Sequence, residues 1–347
     1  MNHILQEDIE YIAMSKSIEW KELENKSVLV TGATGLIGSQ IIMALDEHNK
    51  SNKNPITIYA YARNEEKARK KFEDCTTYVK IVIGDICDDI KIDKPIDYII
   101  HGASITGSKQ FVDCPVETIM TGIEGTKNIL EFAREKQIKE MVYLSSLEVY
   151  GVTDFSLKSV KEDQYGYIEQ LSPRSSYSEG KRMIECMCVS YGSEYGVPVK
   201  IVRLSQTFGP GVSYEDGRVF AQFARAAIEN KNIVLKTKGE TYRNYCYTRD
   251  VIRALLLLGY SGKVGEAYNV VNEKSHMTIR EMAELVANDV SNGEIKVEFD
   301  IPDEAKSLGY APKVKMHLSS EKLNKLGWKA EVDMKEAYLR MMNDMEA

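Results

Sequence analysis

Ser27-Val28-Leu29-Val30-Thr31-Gly32-Ala33-Thr34-Gly35-Leu36-Ile37-Gly38 is a short apolar run that breaks into three glycines spaced three apart and then enters an apolar-periodic segment, Ile41 to Leu45. The stretch reads as strand, tight turn and helix start, the geometry that lays a pyrophosphate on backbone N–H groups at a helix N-terminus. Gly32 turns the chain, Gly35 removes a Cβ from the path of the phosphate, and Gly38 lets the helix approach the strand closely. A glycine triplet alone is weak evidence. With a strand before it and a helix after it, Gly32, Thr34, Gly35, Leu36, Ile37 and Gly38 become candidates for holding a dinucleotide.

Working outward, apolar runs and helical patterns alternate, the signature of a doubly wound parallel sheet covered by helices on both faces, an α/β fold. Strands are expected at 28–31, 56–61, 79–84, 98–102, 141–145 and 199–204, with helices at 36–47, 65–72, 115–135 and 175–195. The alternation fades after Arg203. We expect a dinucleotide-binding domain over 1–205, to which 249–271 returns, and a smaller C-terminal α/β substrate lobe built from 206–248 and 272–347. Such a division suits 347 residues, a length at which one core usually stops growing. Ile4, Leu5, Ile9 and Ile12 lie at helical spacing before the first strand and predict a helix docked on the body or on a partner subunit.

A net charge of −7, with no Lys/Arg block, argues against a nucleic-acid partner. No apolar run is long enough to span a bilayer, and acids at Glu7, Asp8 and Glu10 do not suit a signal peptide, so no membrane partner and a cytoplasmic location are expected. Cys75, Cys87, Cys114, Cys186, Cys188 and Cys246 are scattered without disulfide or zinc spacing and read as buried free thiols, with no metal.

The cofactor's ribose is read at the end of the second strand, where an acid suits NAD and a base suits the extra phosphate of NADP. Here Ala62 is followed by Arg63-Asn64 and no acid precedes Glu65, so Arg63 leaves NADP open beside NAD. Asp85 and Ile86, after the third strand, fall where an adenine is expected. The chemistry centres on Tyr177-Ser178-Glu179-Gly180-Lys181: residues four apart share a helix face, so the Lys181 ammonium can favour the Tyr177 phenolate. An unperturbed phenol, with a pKa near ~10, is a poor base at neutral pH. Upstream, Tyr143 to Gly151 places the hydroxyls of Ser145 and Ser146 at the carboxyl edge of the sheet.

Together these residues resemble an extended short-chain dehydrogenase/reductase of the NAD-dependent epimerase/dehydratase family, Rossmann-fold enzymes that remodel nucleotide-activated sugars. The resemblance runs from about Lys26 to the end of the chain. It rests on Gly32/Gly35/Gly38, Asp85-Ile86, His101-Gly102-Ala103-Ser104, Ser145-Ser146 before Val149-Tyr150-Gly151, Tyr177 with Lys181, Arg203 leading to Gly209-Pro210, and Arg243 before Tyr247 and Asp250. It implies Ser146 as the catalytic hydroxyl, Tyr177 as acid/base, and Lys181 as modulator of the tyrosine and ligand of the nicotinamide ribose. Ala103 and Ser104 are implied at the cofactor, Ser145, Gln206 and Arg218 at the substrate, and Arg243 at the nucleotide diphosphate. It also implies a homodimer through the 115–135 and 175–195 helices.

The reaction turns on Glu148. Relatives that remove water pair an Asp with a Glu directly after the catalytic hydroxyl; here the Asp position is Leu147, which disfavours 4,6-dehydration. Glu148 with Ser146, Glu179-Gly180-Lys181-Arg182 and Asp216-Gly217-Arg218-Val219 resembles UDP-glucuronate decarboxylases. Epimerases need no carboxylate there. Epimerisation through a transient keto sugar is the leading expectation, followed by decarboxylation, then 4,6-dehydration or simple keto-sugar reduction; a non-catalytic NAD(P)-binding sensor or scaffold is the alternative of another class. Three features depart from the family: Gly122 and Gln206 replace its usual asparagines, and Ser307-Leu308-Gly309-Tyr310-Ala311-Pro312 replaces its diphosphate-clamping Arg-Pro-Gly-Asp segment. Lys306, Lys313, Lys315, Arg218 and Arg280 could supply the missing charge but are expected to be solvated, and of Tyr242, Tyr245 and Tyr247 at least two are expected in the core.

Overall fold

The computed structural model describes residues 2–301 and 315–346. Six strands follow the order of the chain: β1 (Ser27–Thr31), β2 (Thr57–Ala62), β3 (Val79–Ile83), β4 (Tyr98–His101), β5 (Glu140–Ser146) and β6 (Val199–Leu204). With Ala267–Val270 they form one sheet in the order Ala267–Val270, β6, β5, β4, β1, β2, β3, parallel throughout. All five residues of β1 are buried, as a central strand covered on both faces requires. The chain order reverses between β1 and β4, so the carboxyl ends of these strands open a crevice there.

The α-helices before β6 are α1 (His3–Ala13), α2 (Leu36–Ser51), α3 (Glu65–Lys71), α4 (Gln110–Asp113), α5 (Pro115–Lys136) and α6 (Ser176–Tyr195). The core on one side of the sheet holds Ile41, Ile42 and Leu45 of α2 with Val251, Leu255 and Leu258 of the helix Thr248–Leu258. The other holds Ile129 and Leu130 of α5 with Ile184 and Cys188 of α6. Ile9 and Ile12 of α1 join the first core, so this helix docks on the body of its own chain. Asp8, on the same helix, is fully buried: its carboxylate accepts from Tyr247, from Arg249 at 3.2 Å and from Arg340 at 3.0 Å.

No strand was expected at Ala267–Val270, a four-residue run interrupted by Asn269. That asparagine is buried because it accepts from the Tyr150 hydroxyl at 2.7 Å and donates to the carbonyls of Val160 and Ser319. A further core gathers Phe208, Phe220, Phe223, Tyr245, Met282, Tyr338 and Met341, while Leu323 and Trp328, from the last part of the chain, pack into the sheet's own core. Three two-stranded ribbons border this region: Gln206–Phe208 with Tyr245–Tyr247, Tyr242–Arg243 with Met277–Thr278, and Ile233–Leu235 with Val297–Phe299. The expectation of buried thiols holds only for Cys188 and Cys246; Cys114 and Cys186 are exposed and Cys75 and Cys87 half-buried. Position on the helix decides this for Cys186 and Cys188, two apart and therefore on different faces of α6.

Candidate active site

The carboxyl ends of β1, β2, β4, β5 and β6 line a cleft of about 470 Å³. At its floor Gly32 takes φ +68, and a Cβ there would press on the Gly102 carbonyl 2.9 Å away; a Cβ on Gly38 would collide with the Gly32 carbonyl oxygen. Only glycine meets both conditions. After Gly35, α2 begins with no side-chain cap, leaving its first-turn N–H groups for an anion. Thr34, Leu36 and Ile37 line the same floor, and Ala62, Arg63, Asp85, Ile86, Ala103 and Ser104 line the adjoining wall. These residues fit a dinucleotide.

The Ala103 loop is held by a relay that sequence analysis left without a role. His101 Nδ1 lies 2.7 Å from Thr31 Oγ1 and its Nε2 3.1 Å from Thr126 Oγ1, while Thr31 Oγ1 accepts the N–H groups of Gly102 and Ala103 at 3.2 and 3.3 Å. Since Thr31 already accepts twice, its own proton goes to Nδ1, and the neutral imidazole carries its proton on Nε2. Burial, aided by the Lys181 charge, pushes the His101 pKa down to about 3.

Ser146, Glu148, Tyr177 and Lys181 all reach the cleft from β5, the turn after it and α6. The sequence expectation for Lys181 is corrected in one respect. Its Nζ donates to Tyr143 Oη at 3.0 Å and to the Leu144 carbonyl at 2.8 Å and lies 5.7 Å above the Tyr177 ring, without a hydrogen bond to that phenol. Burial lowers the lysine's pKa to about 8. Burial and the Glu148 charge hold the Tyr177 phenol well above its ordinary range, against the pull of its hydrogen bond with Ser146. Lysine at this spacing therefore does not by itself make the phenolate; one ammonium proton remains for a ligand between the two groups.

Glu148 is no loose surface carboxylate. Arg174 grips both its oxygens at 3.1 Å, and Ser178 Oγ donates to Oε2 at 3.0 Å. The Arg174 guanidinium also lies 5.0 Å above the Phe111 ring, and Phe111 stacks on Tyr177 at 4.3 Å. Arg174, Ser178 and Phe111 escaped sequence analysis. The signal available for Arg174 was its place three residues before Tyr177, one turn away on a chain that must neutralise Glu148.

The substrate candidates fare differently. Gln206 lines the cleft, as does Arg218, whose guanidinium is paired with Asp216 at 2.6 Å. Ser145 also reaches the cleft, but it donates its hydroxyl to Glu185 at 2.5 Å and is thereby committed to the interior. Arg243 is not among the lining residues. Its largely buried guanidinium donates to the Tyr242 carbonyl at 3.1 Å, with Glu148 and Arg174 as charged neighbours. Tyr245 and Tyr247 are core residues, whereas half-buried Tyr242 stacks on His276 at 4.8 Å. Arg280 pairs with Glu284 at 2.8 Å and Lys315 is exposed. Lys306, Lys313 and 307–312 lie outside the described residues.

A parallel sheet with a glycine-rich first turn thus carries a serine, a tyrosine and a lysine at its carboxyl edge. Residues 28–271 match the model of the NAD dependent epimerase/dehydratase family, and the chain belongs to that family. It is 28% identical over 318 residues to UDP-glucuronic acid decarboxylase 1 of Xenopus tropicalis, covering 91% of this chain and 71% of that protein. It is also 28% identical over 326 residues to the dTDP-D-glucose 4,6-dehydratase of Homo sapiens, covering 90% and 87%. Among solved structures, the UDP-glucose 4-epimerase of Thermotoga maritima shares the fold with a TM-score of 0.76 at 21% identity, covering 92% of this chain and 98% of that one. The family is NAD-dependent, and among the described residues no helix is long and apolar enough to cross a membrane.

Proposed function

We propose that this chain decarboxylates a nucleotide-activated uronic acid through a transient 4-keto sugar. Bound NAD supplies a reversible hydride acceptor at the sugar carbon. Tyr177 takes the proton of the reacting hydroxyl and later returns it, Ser146 hydrogen-bonds the same oxygen, and Lys181 gives its free ammonium proton to the ligand beside the phenol. Oxidation next to the carbon bearing the carboxylate creates a β-keto acid. Its C–C bond breaks to release carbon dioxide, the electron pair passes into the carbonyl as an enolate, and a solvent proton replaces the lost group before reduction.

The observation that carries this reading is Glu148, held at the mouth of the catalytic groups by Arg174 and Ser178 with Leu147, not an acid, before it. By the family resemblance an epimerase needs no carboxylate at Glu148, and a dehydratase needs an acid where Leu147 stands. Epimerisation, which the sequence puts first, therefore ranks second here. The outer faces of α5 and α6 expose Val116, Met120, Met183 and Val189, the surface we assign to a homodimer.

Incubation with UDP-, dTDP-, CDP- and GDP-sugars and uronic acids, read by mass and proton NMR, tests the proposal. Loss of carbon dioxide supports it. Unchanged mass with an inverted centre would replace it with epimerisation, loss of water with dehydration, and no turnover of any of them with a sensor.

A further inference from the structure

We propose that Tyr143 positions Lys181: its hydroxyl, together with the Leu144 carbonyl, keeps the lysine charged and over the catalytic phenol. The inference deepens the proposed chemistry, in which Lys181 acts as a cation, and rests on that reading only for its link to turnover. Both side chains are buried. Lys181 Nζ donates to Tyr143 Oη at 3.0 Å and to the Leu144 carbonyl at 2.8 Å, and lies 4.7 Å above the Tyr143 ring. Glu185, one turn later on α6, is already bound by Arg203 and Ser145. The other titratable groups around the ammonium are Tyr177 and Cys188 of α6 and His101 of β4. Burial raises the pKa of the phenol and of the thiol and keeps the imidazole neutral, so none of the three offers a negative charge near neutral pH. The ammonium is therefore held by neutral dipoles. A hydrogen bond from a charged donor is roughly twice as strong as one between neutral groups, so the Tyr143 hydroxyl favours the ammonium over the amine.

The register of strand against helix explains why the two meet. Tyr143 and Ser145 share a face of β5, and Lys181 and Glu185 share a face of α6. Two residues of strand rise about 6.7 Å and four of helix about 6 Å, so two rungs form at matched heights, Tyr143 with Lys181 and Ser145 with Glu185. Arg203 closes the second rung. The first stays open, because one of the three ammonium protons is left for a ligand. Tyr143→Phe would keep the ring and its stacking on His101 at 5.8 Å and remove only the acceptor.

The test is denaturant unfolding of wild type and Tyr143→Phe from about pH 6 to about pH 9.5, in the natural sequence and in a Lys181→Met background, beside the pH profile of turnover. Without the hydroxyl, Lys181 is expected to lose its proton about one pH unit below its native value of about 8. The unfolded lysine keeps that proton up to ~10.4. The stability deficit of Tyr143→Phe is therefore expected to be largest below about pH 7 and to shrink, by about tenfold in the unfolding constant, as pH rises through about 8. In the Lys181→Met background the deficit should be the same at every pH; if that background does not fold, the slope in the natural sequence decides. The alkaline limb of turnover is expected to move down by the same unit. A deficit that is flat with pH in the natural sequence would make Tyr143 a packing residue and overturn the inference. A deficit that shrinks while the limb stays in place would uphold the hold on Lys181 and remove the lysine's charge from the proposed chemistry instead.

Discussion

Two carboxylate–arginine pairs stand on either side of the end of β5. Glu148–Arg174 faces the cleft, with side chains 22% and 30% exposed, whereas Glu185–Arg203 lies behind it at 8% and 1%. The buried pair has every group accounted for. Glu185 accepts from Arg203 at 2.7 and 3.0 Å and from Ser145, and Arg203 continues to the Tyr150 hydroxyl at 2.9 Å, the Glu162 carbonyl at 2.6 Å and the Tyr165 hydroxyl. The cleft pair has water on one side and the catalytic phenol on the other. A pair closed on all sides can only hold β6 and α6 together, with β5 joined through Ser145; a pair open on one side can exchange a partner for a ligand.

The largest expected effect tests whether the open pair works through the phenol. Tyr177→Phe should lower kcat by roughly 10³-fold or more while cofactor still binds, read by steady-state kinetics beside calorimetry; full activity would remove the mechanism. Next comes the closed pair. Glu185→Ala leaves Arg203 charged and buried, and should cost about 3–5 kcal/mol of stability in a denaturant titration. A loss under about 1 kcal/mol would mean that solvent reaches Arg203 and that the two pairs are not different in kind.

Glu148→Gln sharpens the contrast from the other side, with turnover expected to fall about a hundredfold and unfolding free energy to change by less than about 1 kcal/mol. A variant that unfolds instead would make Glu148 structural. A pH-dependent effect concerns Lys181. Its native pKa of about 8 lies below the ~10.4 of an unfolded lysine, so between those values the unfolded chain binds the extra proton. The stability of wild type relative to Lys181→Met should therefore rise with pH through that window and stay flat below it. A difference that falls with pH would place a carboxylate closer to Lys181 than any seen here.

The six strands of the sheet expected from the chain were legible to within a residue or two because each is an apolar run bounded by a turn, and the cofactor floor because its glycines, turn and helix are contiguous. Ala267–Val270 was not, since a four-residue strand with a central asparagine has no hydrophobic period until Tyr150 and two carbonyls satisfy its amide. Of the candidate site, the Tyr177–Lys181 spacing was readable as shared helix face. Its electrostatics were not: the pKa of a phenol depends on burial and on Glu148, 29 residues away in the chain.

By itself the sequence determined what contiguous residues can express, namely a parallel sheet, a phosphate-binding first turn, and a serine, tyrosine and lysine of the right kinds in the right order. The tertiary structure decided what depends on distance through space: that Ser145 donates to Glu185, that Arg174 holds Glu148, that Lys67 joins Arg63 at the rim of the cleft. Propensity and periodicity act over a few residues, whereas charge and desolvation act over ångströms between segments whose separation along the chain carries no information about their meeting.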